Sequence, residues 1–274
     1  MEDYQVNDPV YSKIMSFVID GKVPESWKQP FYFKPNSNSL YQIKSGPCGL
    51  FAALQAHIIK KQTECPGYTN QQLLWESMLE IMRKVRGTYL FCTYIDEQSH
   101  RIAWKSTADL RTAQAFLGQS RWTDDPQATL LFAVSIVILV GPVWLRYFSI
   151  PDHIIDEAGY TNLTFVLLLI TGEVLDSYID NNGSIGGMAS KGTTVQPEFG
   201  LLSNAECVQY QKIGHFFTHP HQNIWVAYYG AHFTVMIAGP SGFFEFDSLS
   251  KYPWVPFTPK HPFTELLNNA YRGN

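Results

Sequence analysis

Residues 45–53, with the sequence SGPCGLFAA, predict a turn that brings Cys48 to the beginning of a helix. Gly46 and Pro47 interrupt regular structure, and proline suits a first helical turn because its missing N–H would be unpaired there. The residues that follow, LFAALQAHIIKK, have the composition of a helix that extends to about Lys61. This stretch therefore predicts a helix that presents a cysteine at its N-terminal end.

The position of Cys48 favours a reactive thiol. The N-terminal end of a helix carries a positive dipole and free backbone N–H groups, and both favour the thiolate, which is the nucleophilic form. Gln42 lies six residues earlier, where a hydrogen-bond donor to an oxyanion is needed. The pattern is typical of a cysteine hydrolase, although an isolated cysteine at a helix start is more often a small buried apolar residue.

Composition indicates a globular protein of a reducing compartment. The chain has 274 residues, of which 45% are hydrophobic, so it can bury a sizeable core. Its net charge of −4 gives no electrostatic reason to expect nucleic acid or an anionic membrane as a partner. Its four cysteines form no CxxC pair, and the N-terminus does not resemble a secretory signal. We therefore expect a cytoplasmic or nuclear protein without a metal or cofactor.

One apolar segment, residues 128–145, resembles a membrane span in composition. Gly141 and Pro142 interrupt it, and the uninterrupted part, residues 128–140, is too short to cross a bilayer. We therefore expect a buried core helix here.

Apolar periodicity and turn signals predict helices in the first part of the chain and antiparallel strands in the last part. Helices are expected at residues 10–19, 48–61, 70–86, 109–117, 162–175 and 203–210 and in the apolar segment after Asp125, with a β-hairpin at residues 89–95 and 101–104. Strands are expected at residues 224–229, 232–238 and 243–249, and a polar, glycine-rich loop at residues 180–200. This order predicts an α+β fold.

We expect a single catalytic domain over residues 1–274. A wrapping segment at about residues 1–38 precedes a helical lobe at about residues 39–200. A β lobe at about residues 201–258 and a C-terminal tail follow.

The last hairpin predicts a partner for a candidate histidine. A turn at residues 239–242 sets four facing pairs: Ala238 with Phe243, Met236 with Glu245, Thr234 with Asp247, and His232 with Leu249. Because side chains alternate along a strand, His232 and Asp247 share the more polar face as diagonal neighbours, which is within side-chain reach. The opposite face is strongly apolar and is expected to pack on helices. Glu245 is one pair further from the histidine and is the weaker candidate.

These residues can fill the roles of a cysteine hydrolase. Cys48 attacks a carbonyl carbon, and His232 takes its proton and passes it to the leaving amine. Gln42 and the backbone N–H of Cys48 stabilise the oxyanion, and Asp247 orients the imidazole.

Simpler interpretations exist for each candidate. A single histidine in a strand is more often structural, and the cluster HFFTHPH at residues 215–221 is better explained as a surface loop than as a zinc site. The turn GPSG at residues 239–242 does not match the nucleophile elbow of serine hydrolases.

Four blocks of the chain resemble the MINDY family of deubiquitinases, close to the branch with a Gly-Pro-Cys-Gly nucleophile motif. The blocks are residues 42–55 (QIKSGPCGLFAALQ), 167–187 (LLLITGEVLDSYIDNNGSIGG), 196–214 (QPEFGLLSNAECVQYQKIG) and 224–238 (IWVAYYGAHFTVMIA). They occur in family order and span roughly residues 27–258. Together they are far more specific than any one of them.

The resemblance implies a papain-like cysteine protease core with a helical lobe and a β lobe. It implies hydrolysis of isopeptide bonds in polyubiquitin, with a preference for the proteasome-targeting linkage. By motif position it assigns Cys48 as the nucleophile, His232 as the general base and Gln42 as the oxyanion donor. It does not identify the orienting residue, so Asp247 depends on the hairpin argument alone.

A site for the substrate's tail is predicted beside the glycine-rich loop. The tail of ubiquitin ends in an arginine and two glycines, and it needs a narrow channel with an acidic group nearby. Asp176, Asp180, Gly186 and Gly187 could supply both. A plain surface connection explains the same loop equally well.

Three other functions compete with a deubiquitinase. One is an inactive or autoinhibited ubiquitin-binding module of the same fold. Another is a cysteine hydrolase that acts on a different ubiquitin-like tail or a small amide. The third is a structural helical protein, which fits the composition but not the ordered blocks. The partners expected are ubiquitin and polyubiquitin, with no nucleic acid and no membrane.

Overall fold

The computed structural model describes residues 1–141, 153–185, 187–204, 212–239, 242–258, 261–264 and 267–268, and these residues form helices and strands in the following order. The elements are β1 (Glu2–Val6), α1 (Val10–Val18), a 3-10 helix (Glu25–Trp27), β2 (Tyr32–Phe33), β3 (Leu40–Tyr41), α2 (Cys48–Glu64), α3 (Asn70–Arg86), β4 (Tyr89–Asp96), β5 (Arg101–Thr107), α4 (Leu110–Gln119), a 3-10 helix (Trp122–Asp124), α5 (Ala128–Val140), α6 (Leu163–Thr171), β6 (Gly183–Ile185), β7 (Met188–Ser190), β8 (Gly200–Ser203), α7 (His215–Thr218), β9 (Ile224–Tyr228), β10 (Phe233–Gly239), β11 (Gly242–Phe246) and β12 (Val255–Pro256).

Helix α2 lies at the centre of the fold. It begins at Cys48, as predicted, and extends to Glu64, slightly beyond the predicted end. Most of its first eleven residues are fully buried, and it packs against α3, α6, β9 and β10. A helix that is apolar all round belongs inside a protein, so α2 can hold its first residue in a fixed place between the other elements.

Capping residues set the ends of the neighbouring helices. Thr69 and Gln72 form a capping box at the start of α3, and Gly87 ends that helix in the left-handed conformation at φ 71°. Asp109 accepts a hydrogen bond from the backbone N–H of Thr112 at 2.8 Å and caps α4, as the sequence predicts.

The apolar segment forms a core helix. All residues of α5 except Ile138 are buried, which confirms the prediction for residues 128–140; the rest of that segment, beyond Gly141, lies outside the described residues. In the described part of the chain, no helix combines the length and the apolar character that a membrane crossing requires.

A five-stranded sheet has the order β12-β11-β10-β9-β8. The predicted antiparallel pairing of its last strands is confirmed, with Ala238 opposite Phe243 and Met236 opposite Glu245. Strand β8 pairs with β9 in parallel and was not predicted, and most of the helix predicted at residues 203–210 falls outside the described residues. Residues 205–211 lie outside the described residues. Mixed helices and sheets make the fold α+β, as predicted.

Three regions differ from the predicted pattern. Strand β1 joins β5 and β4 as a third antiparallel strand, although its residues EDYQV are almost all exposed and carry no apolar signal. Strands β6 and β7 form a hairpin within residues 180–200, which had been predicted as a loop. Helix α6 ends earlier than predicted because Gly172, at φ 80°, lies against Lys84, where a Cβ would come within 2.7 Å of that side chain.

The two faces of β10 pack against different groups. Phe233 and Val235 are buried in the main core with the residues of α2, which confirms that the apolar face packs on a helix. Met236 packs on the other side in a smaller cluster with Trp225 and Phe263. The N-terminal end of β10 therefore meets the N-terminal end of α2.

Candidate active site

Cys48 is the first residue of α2, and a glycine turn places it there. Gly46 has φ 130°, and a Cβ at this position would lie 2.6 Å from Ser26 Oγ and 2.9 Å from the carbonyl oxygen of Gly159. Its own carbonyl accepts a hydrogen bond from the backbone N–H of Thr161 at 3.0 Å. The turn is therefore clamped between two distant segments, and only glycine fits its conformation.

The next residue, Gly49, lets α6 approach the start of α2 closely. A Cβ there would come within 2.7 Å of Val166 and 2.8 Å of Thr161. The glycines on both sides of Pro47 and Cys48 are therefore required by packing. The thiol itself is buried, with the whole residue 1% exposed.

His232 lies directly before β10. The sequence predicts it as the first residue of that strand, whereas β10 begins at Phe233, and a turn in which Tyr229 N–H donates to the carbonyl of His232 at 2.9 Å joins the two strands. The adjacent carbonyl oxygen of Ala231 lies 3.9 Å from Cys48 Sγ. The turn between β9 and β10 therefore brings His232 to the cysteine.

Asp247 contacts His232. The distance from His232 Nε2 to Asp247 Oδ1 is 3.2 Å, and Asp247 Oδ1 also accepts from the backbone N–H of Leu249 at 2.9 Å. Strand β11 ends at Phe246, so the carboxylate lies one residue beyond the strand rather than within it. The diagonal arrangement that the hairpin register predicts nevertheless brings the two side chains together.

The pKa of His232 is raised from its ordinary value to about 10. The hydrogen bond to Asp247 is the largest cause, and the hydrogen bond to the Cys48 sulfur is the next; burial opposes both. The pKa of Asp247 is lowered, because its contacts with His232 and Leu249 outweigh burial, which acts in the opposite direction. An imidazolium between a sulfur and a carboxylate is the arrangement that nucleophilic cysteine chemistry uses.

Glu245, the weaker candidate, is engaged elsewhere. Its Oε1 accepts hydrogen bonds from Tyr229 at 2.9 Å and Thr234 at 2.8 Å, and its Oε2 lies 3.4 Å from His261 Nε2. Of the two carboxylates on this face, Asp247 is the one that contacts His232.

Gln42 is buried beside the same segment. Its Oε1 accepts a hydrogen bond from Ser248 Oγ at 2.9 Å, and its backbone N–H donates to the carbonyl of Ser248 at 3.1 Å. Its Nε2 donates to the carbonyl of Lys44 at 2.6 Å, which uses one of the two hydrogens on that nitrogen. The other hydrogen is the one that an oxyanion would need.

Two residues behind the site, Ser248 and Lys34, are not predicted from the sequence. Ser248 holds the Gln42 amide, and the Lys34 ammonium donates to the carbonyl of Asp247 at 2.7 Å. Neither belongs to a recognisable motif. The only signal in the sequence is that Ser248 adjoins a candidate carboxylate.

The two carboxylates predicted to bind a substrate tail accept hydrogen bonds from backbone N–H groups of the protein itself. Asp176 Oδ1 accepts from the backbone N–H of Lys191 at 2.6 Å. The two carboxylate oxygens of Asp180 accept from the backbone N–H groups of His215 and Phe216 at 2.7 and 3.0 Å, at the start of α7. These bonds favour a structural part for both carboxylates, and their contact with a substrate stays a prediction.

The glycine-rich segment lies towards the end of α2 that is remote from Cys48. Helix α6 starts beside Gly49 and ends at Gly172, against Lys84. The segment of Asp176 and Asp180 follows that end. Gly187, at φ 84°, forms the turn between β6 and β7, and Gly186 lies outside the described residues.

The C-terminal half of α2 carries a dense group of charges. Lys60 Nζ lies 2.7 Å from Glu80 and 2.9 Å from Glu198, and Lys61 Nζ lies 2.6 Å from Glu80. Lys84 pairs with both glutamates. Burial opposes the ionisation of Glu80, but its contacts with His57 and the lysines hold its pKa well below the ordinary range. This cluster ties α2, α3 and the segment before β8 together.

In the described ranges, no group of three or more His, Cys, Asp or Glu side chains could hold a metal ion. Cys48, Cys65 and Cys92 are free thiols. The site therefore offers a thiol, an imidazole, a carboxylate and a side-chain amide as its chemical groups.

Comparison with known proteins identifies one family. The family model described as "Deubiquitinating enzyme MINDY-3/4, conserved domain" matches residues 88–242, which include His232 but begin after Cys48. The match covers more than half of the chain.

Individual relatives agree with this match. Ubiquitin carboxyl-terminal hydrolase MINDY-3 of Bos taurus is 24% identical over 268 residues, which cover 77% of this chain and 60% of that protein. Probable ubiquitin carboxyl-terminal hydrolase MINDY-4 of the same organism is 23% identical over 256 residues, covering 78% of this chain and 33% of the relative. The MINDY-3 homolog of Drosophila melanogaster is 29% identical over 80 residues, 29% of this chain and 14% of its own length.

The chain spans about 60% of the length of the MINDY-3 relatives from Bos taurus and Homo sapiens. No solved structure matches it.

Proposed function

The chain belongs to the MINDY-3/4 family of deubiquitinating enzymes, and on that premise we propose that it hydrolyses isopeptide bonds in polyubiquitin with Cys48 as the nucleophile. The observation that carries the proposal is the 3.2 Å contact between His232 and Asp247, beside Cys48, whose sulfur lies 3.9 Å from the carbonyl oxygen of the neighbouring Ala231. Family membership supports ubiquitin as the substrate, and the geometry supports the chemistry.

In the first step, the sulfur of Cys48 attacks the carbonyl carbon of the isopeptide bond between two ubiquitins. The carbonyl oxygen takes up the negative charge. His232, protonated by virtue of its raised pKa, gives its proton to the departing lysine amine. The C–N bond breaks, and the first ubiquitin remains attached to Cys48 as a thioester.

In the second step, His232 is neutral and acts as a base. It takes a proton from water, and the resulting oxygen nucleophile attacks the thioester carbon. The C–S bond breaks, the ubiquitin leaves with a free C-terminal carboxylate, and the sulfur and the imidazolium are restored. Asp247 keeps the imidazole in one orientation through both steps.

Gln42 is proposed as the donor to the oxyanion, together with the backbone N–H of Cys48. Helix α2 begins at Cys48, so this N–H belongs to the group of donors that have no intrahelical partner. Such donors contribute to catalysis because they are already in place when the charge develops. The bond from Ser248 to Gln42 Oε1 supports this role by turning the NH₂ group of the amide to the opposite side.

We also propose a papain-like arrangement. A cysteine at the start of a central helix packs against an antiparallel sheet that brings the histidine, and this combination supports it. The proteasome-targeting linkage is proposed as the preferred one, and a reducing compartment as the location.

Cleavage of tetraubiquitins of defined linkage tests the proposal. Wild type should cleave at least one linkage, Cys48→Ala should cleave none and should still bind chains, and Cys65→Ala, which removes a free thiol elsewhere, should keep wild-type turnover. Turnover by Cys48→Ala would exclude this nucleophile. Absence of cleavage by wild type, with turnover of another ubiquitin-like conjugate, would replace ubiquitin as the substrate.

A further inference from the structure

Lys34 is a buried lysine whose ammonium points into the back of the candidate site. The residue is 5% exposed, and its Nζ donates to the carbonyl oxygens of Asp247 at 2.7 Å and Tyr252 at 3.0 Å. The nitrogen also lies 4.8 Å from the centre of the Phe246 ring, a cation–π distance. Burying an ammonium group costs free energy unless its N–H groups are hydrogen-bonded. A lysine buried at this position is therefore expected to have a role that offsets this cost.

The segment that Lys34 holds is the turn that follows β11. Asp247, the first residue of this turn, contacts His232, and the next residue, Ser248, contacts Gln42. The turn is closed by the backbone N–H of Ser250, which donates to the same Asp247 carbonyl at 3.1 Å. One short turn therefore contacts both the His232 imidazole and the Gln42 amide.

Lys34 itself belongs to the hairpin that carries Gln42. It follows β2 directly, and its backbone N–H donates to the carbonyl of Ser39 at 2.8 Å, just before β3. Gln42 comes directly after β3. The ammonium of Lys34 thus links this hairpin to the turn of Asp247, across more than 200 residues of sequence.

We propose that Lys34 is a positioning residue that acts through Asp247, by fixing the turn so that the carboxylate stays in contact with His232. The proposal deepens the proposed function and rests on it for the roles of Cys48 and His232. Lys34 does not touch the reacting atoms. Its contribution is to hold the carboxylate where the imidazole needs it.

The positive charge of Lys34 supports the same positioning role. Burial lowers its pKa to about 8, and the nearby carboxylate of Asp247 opposes that effect, so the amine is largely protonated at pH 7. Its positive charge is in turn one of the influences that lower the pKa of Asp247. Replacement by methionine keeps the length of the side chain but leaves two carbonyl groups without their donor.

A double-mutant cycle separates positioning from general stability. Lys34→Met should lower kcat for ubiquitin-chain cleavage by about tenfold, the size expected for the loss of hydrogen bonds from a charged group, with little change in KM. In an Asp247→Asn background, the same substitution should change kcat by less than about twofold, because the group through which it acts is already impaired.

Lys60→Met is the matched control. Lys60 is also a buried lysine, but its partners, Glu64, Glu80 and Glu198, lie at the other end of α2. This variant should lose stability without a comparable loss of kcat. Lys34→Gln, which keeps an N–H donor group, should have an intermediate effect and serves as the test variant if Lys34→Met does not fold.

A titration of the His232 imidazole by NMR gives a readout that needs no substrate. The contact with Asp247 is the largest cause of the raised pKa of His232, so Lys34→Met and Asp247→Asn should both lower that pKa, and Lys60→Met should not. An unchanged titration in Lys34→Met, or an equal loss of kcat in both backgrounds, would overturn the proposal. If neither wild type nor any variant cleaves ubiquitin chains, the proposed function fails. The NMR titration then still tests whether Lys34 positions Asp247.

Discussion

Two histidines, each beside a carboxylate, have opposite pKa shifts: His232 lies by the N-terminal end of α2, and His57 is a residue near the middle of that helix. His232 is about one-third exposed and lies 3.2 Å from Asp247, and its pKa is raised to about 10. His57 is completely buried and lies 3.7 Å from Glu80, and burial lowers its pKa. A neighbouring carboxylate is therefore not sufficient by itself to keep a histidine protonated.

The two carboxylates, Glu80 and Asp247, differ in the number of cations that contact them. Glu80 contacts three lysines, and the positive charge of Lys84 also lowers the pKa of His57. Asp247 has one imidazole and the nearby ammonium of Lys34. In the second half of the helix one glutamate is shared by several lysines, whereas at its first residue a single imidazole lies beside a single carboxylate.

The substitution Asp247→Asn should most strongly test the comparison, because it removes the largest cause of the raised pKa of His232. We expect kcat to fall by about 10²–10⁴-fold with KM little changed, as in other sites where an orienting carboxylate is neutralised. Steady-state cleavage of tetraubiquitin measures it. Glu245→Gln is the control and should stay within a few-fold of wild type; a larger loss in the control than in Asp247→Asn would exchange their roles.

The amide of Gln42 is expected to have the next largest effect. Gln42→Ala should lower kcat by about 10²–10³-fold if the amide stabilises the oxyanion. Single-turnover cleavage measures this step directly. Because the side chain is buried, thermal unfolding should be followed in parallel, and a wild-type kcat would assign Gln42 a structural role only.

At the other end of the helix, Glu80→Gln should affect stability rather than chemistry. Removing the charge takes Glu80 away from Lys60 and Lys61, which keep Glu64 and, for Lys60, Glu198, so the cost should fall below the ~3–5 kcal/mol of a buried charge left without any partner. Urea unfolding measures the loss. A fall in kcat larger than the fall in folded fraction would show that the two ends of α2 are coupled.

The smallest effect expected is a difference in pH dependence between the two histidines. The raised pKa of His232 contributes stability that is complete below about pH 6.5 and is lost as the pH rises towards about 10. The lowered pKa of His57 contributes stability that is present above about pH 6.5 and is lost as the pH falls.

Unfolding midpoints of wild type, His232→Gln and His57→Gln across this range measure the two contributions. The difference between wild type and His232→Gln should shrink with rising pH. The difference between wild type and His57→Gln should shrink with falling pH. Parallel curves for both variants would remove the distinction between the two histidines.

Much of the site follows from short stretches of sequence. The turn before Cys48 and the start of α2 depend on glycine and proline within a few residues, and the facing pairs of β10 and β11 depend on a short turn and on alternation along each strand. These signals act between near neighbours in the chain. For the same reason the contact of Asp247 with His232 could be predicted from the hairpin register.

Other features have no local signal. Strand β1 pairs with β5 across about a hundred residues, and β8 aligns in parallel with β9, although the residues of β1 are polar and exposed. In the predicted substrate-binding segment, by contrast, a local sequence pattern is present but the observed contacts do not follow from it. Asp180 has an acidic, glycine-rich context, yet both of its carboxylate oxygens bind backbone N–H groups at the start of α7.

The amino-acid sequence was sufficient to predict the candidate nucleophile, the candidate base and the helix and hairpin beside them, because each depends on residue types and periodicity over a few positions. Only the tertiary structure revealed the charge cluster in the second half of α2 and the contacts of Lys34 and Ser248 behind the candidate site. Burial and the number of surrounding charges set the pKa of a histidine, and both arise from segments distant in sequence, as the contacts of Lys34 with Asp247 and of Glu198 with Lys60 show.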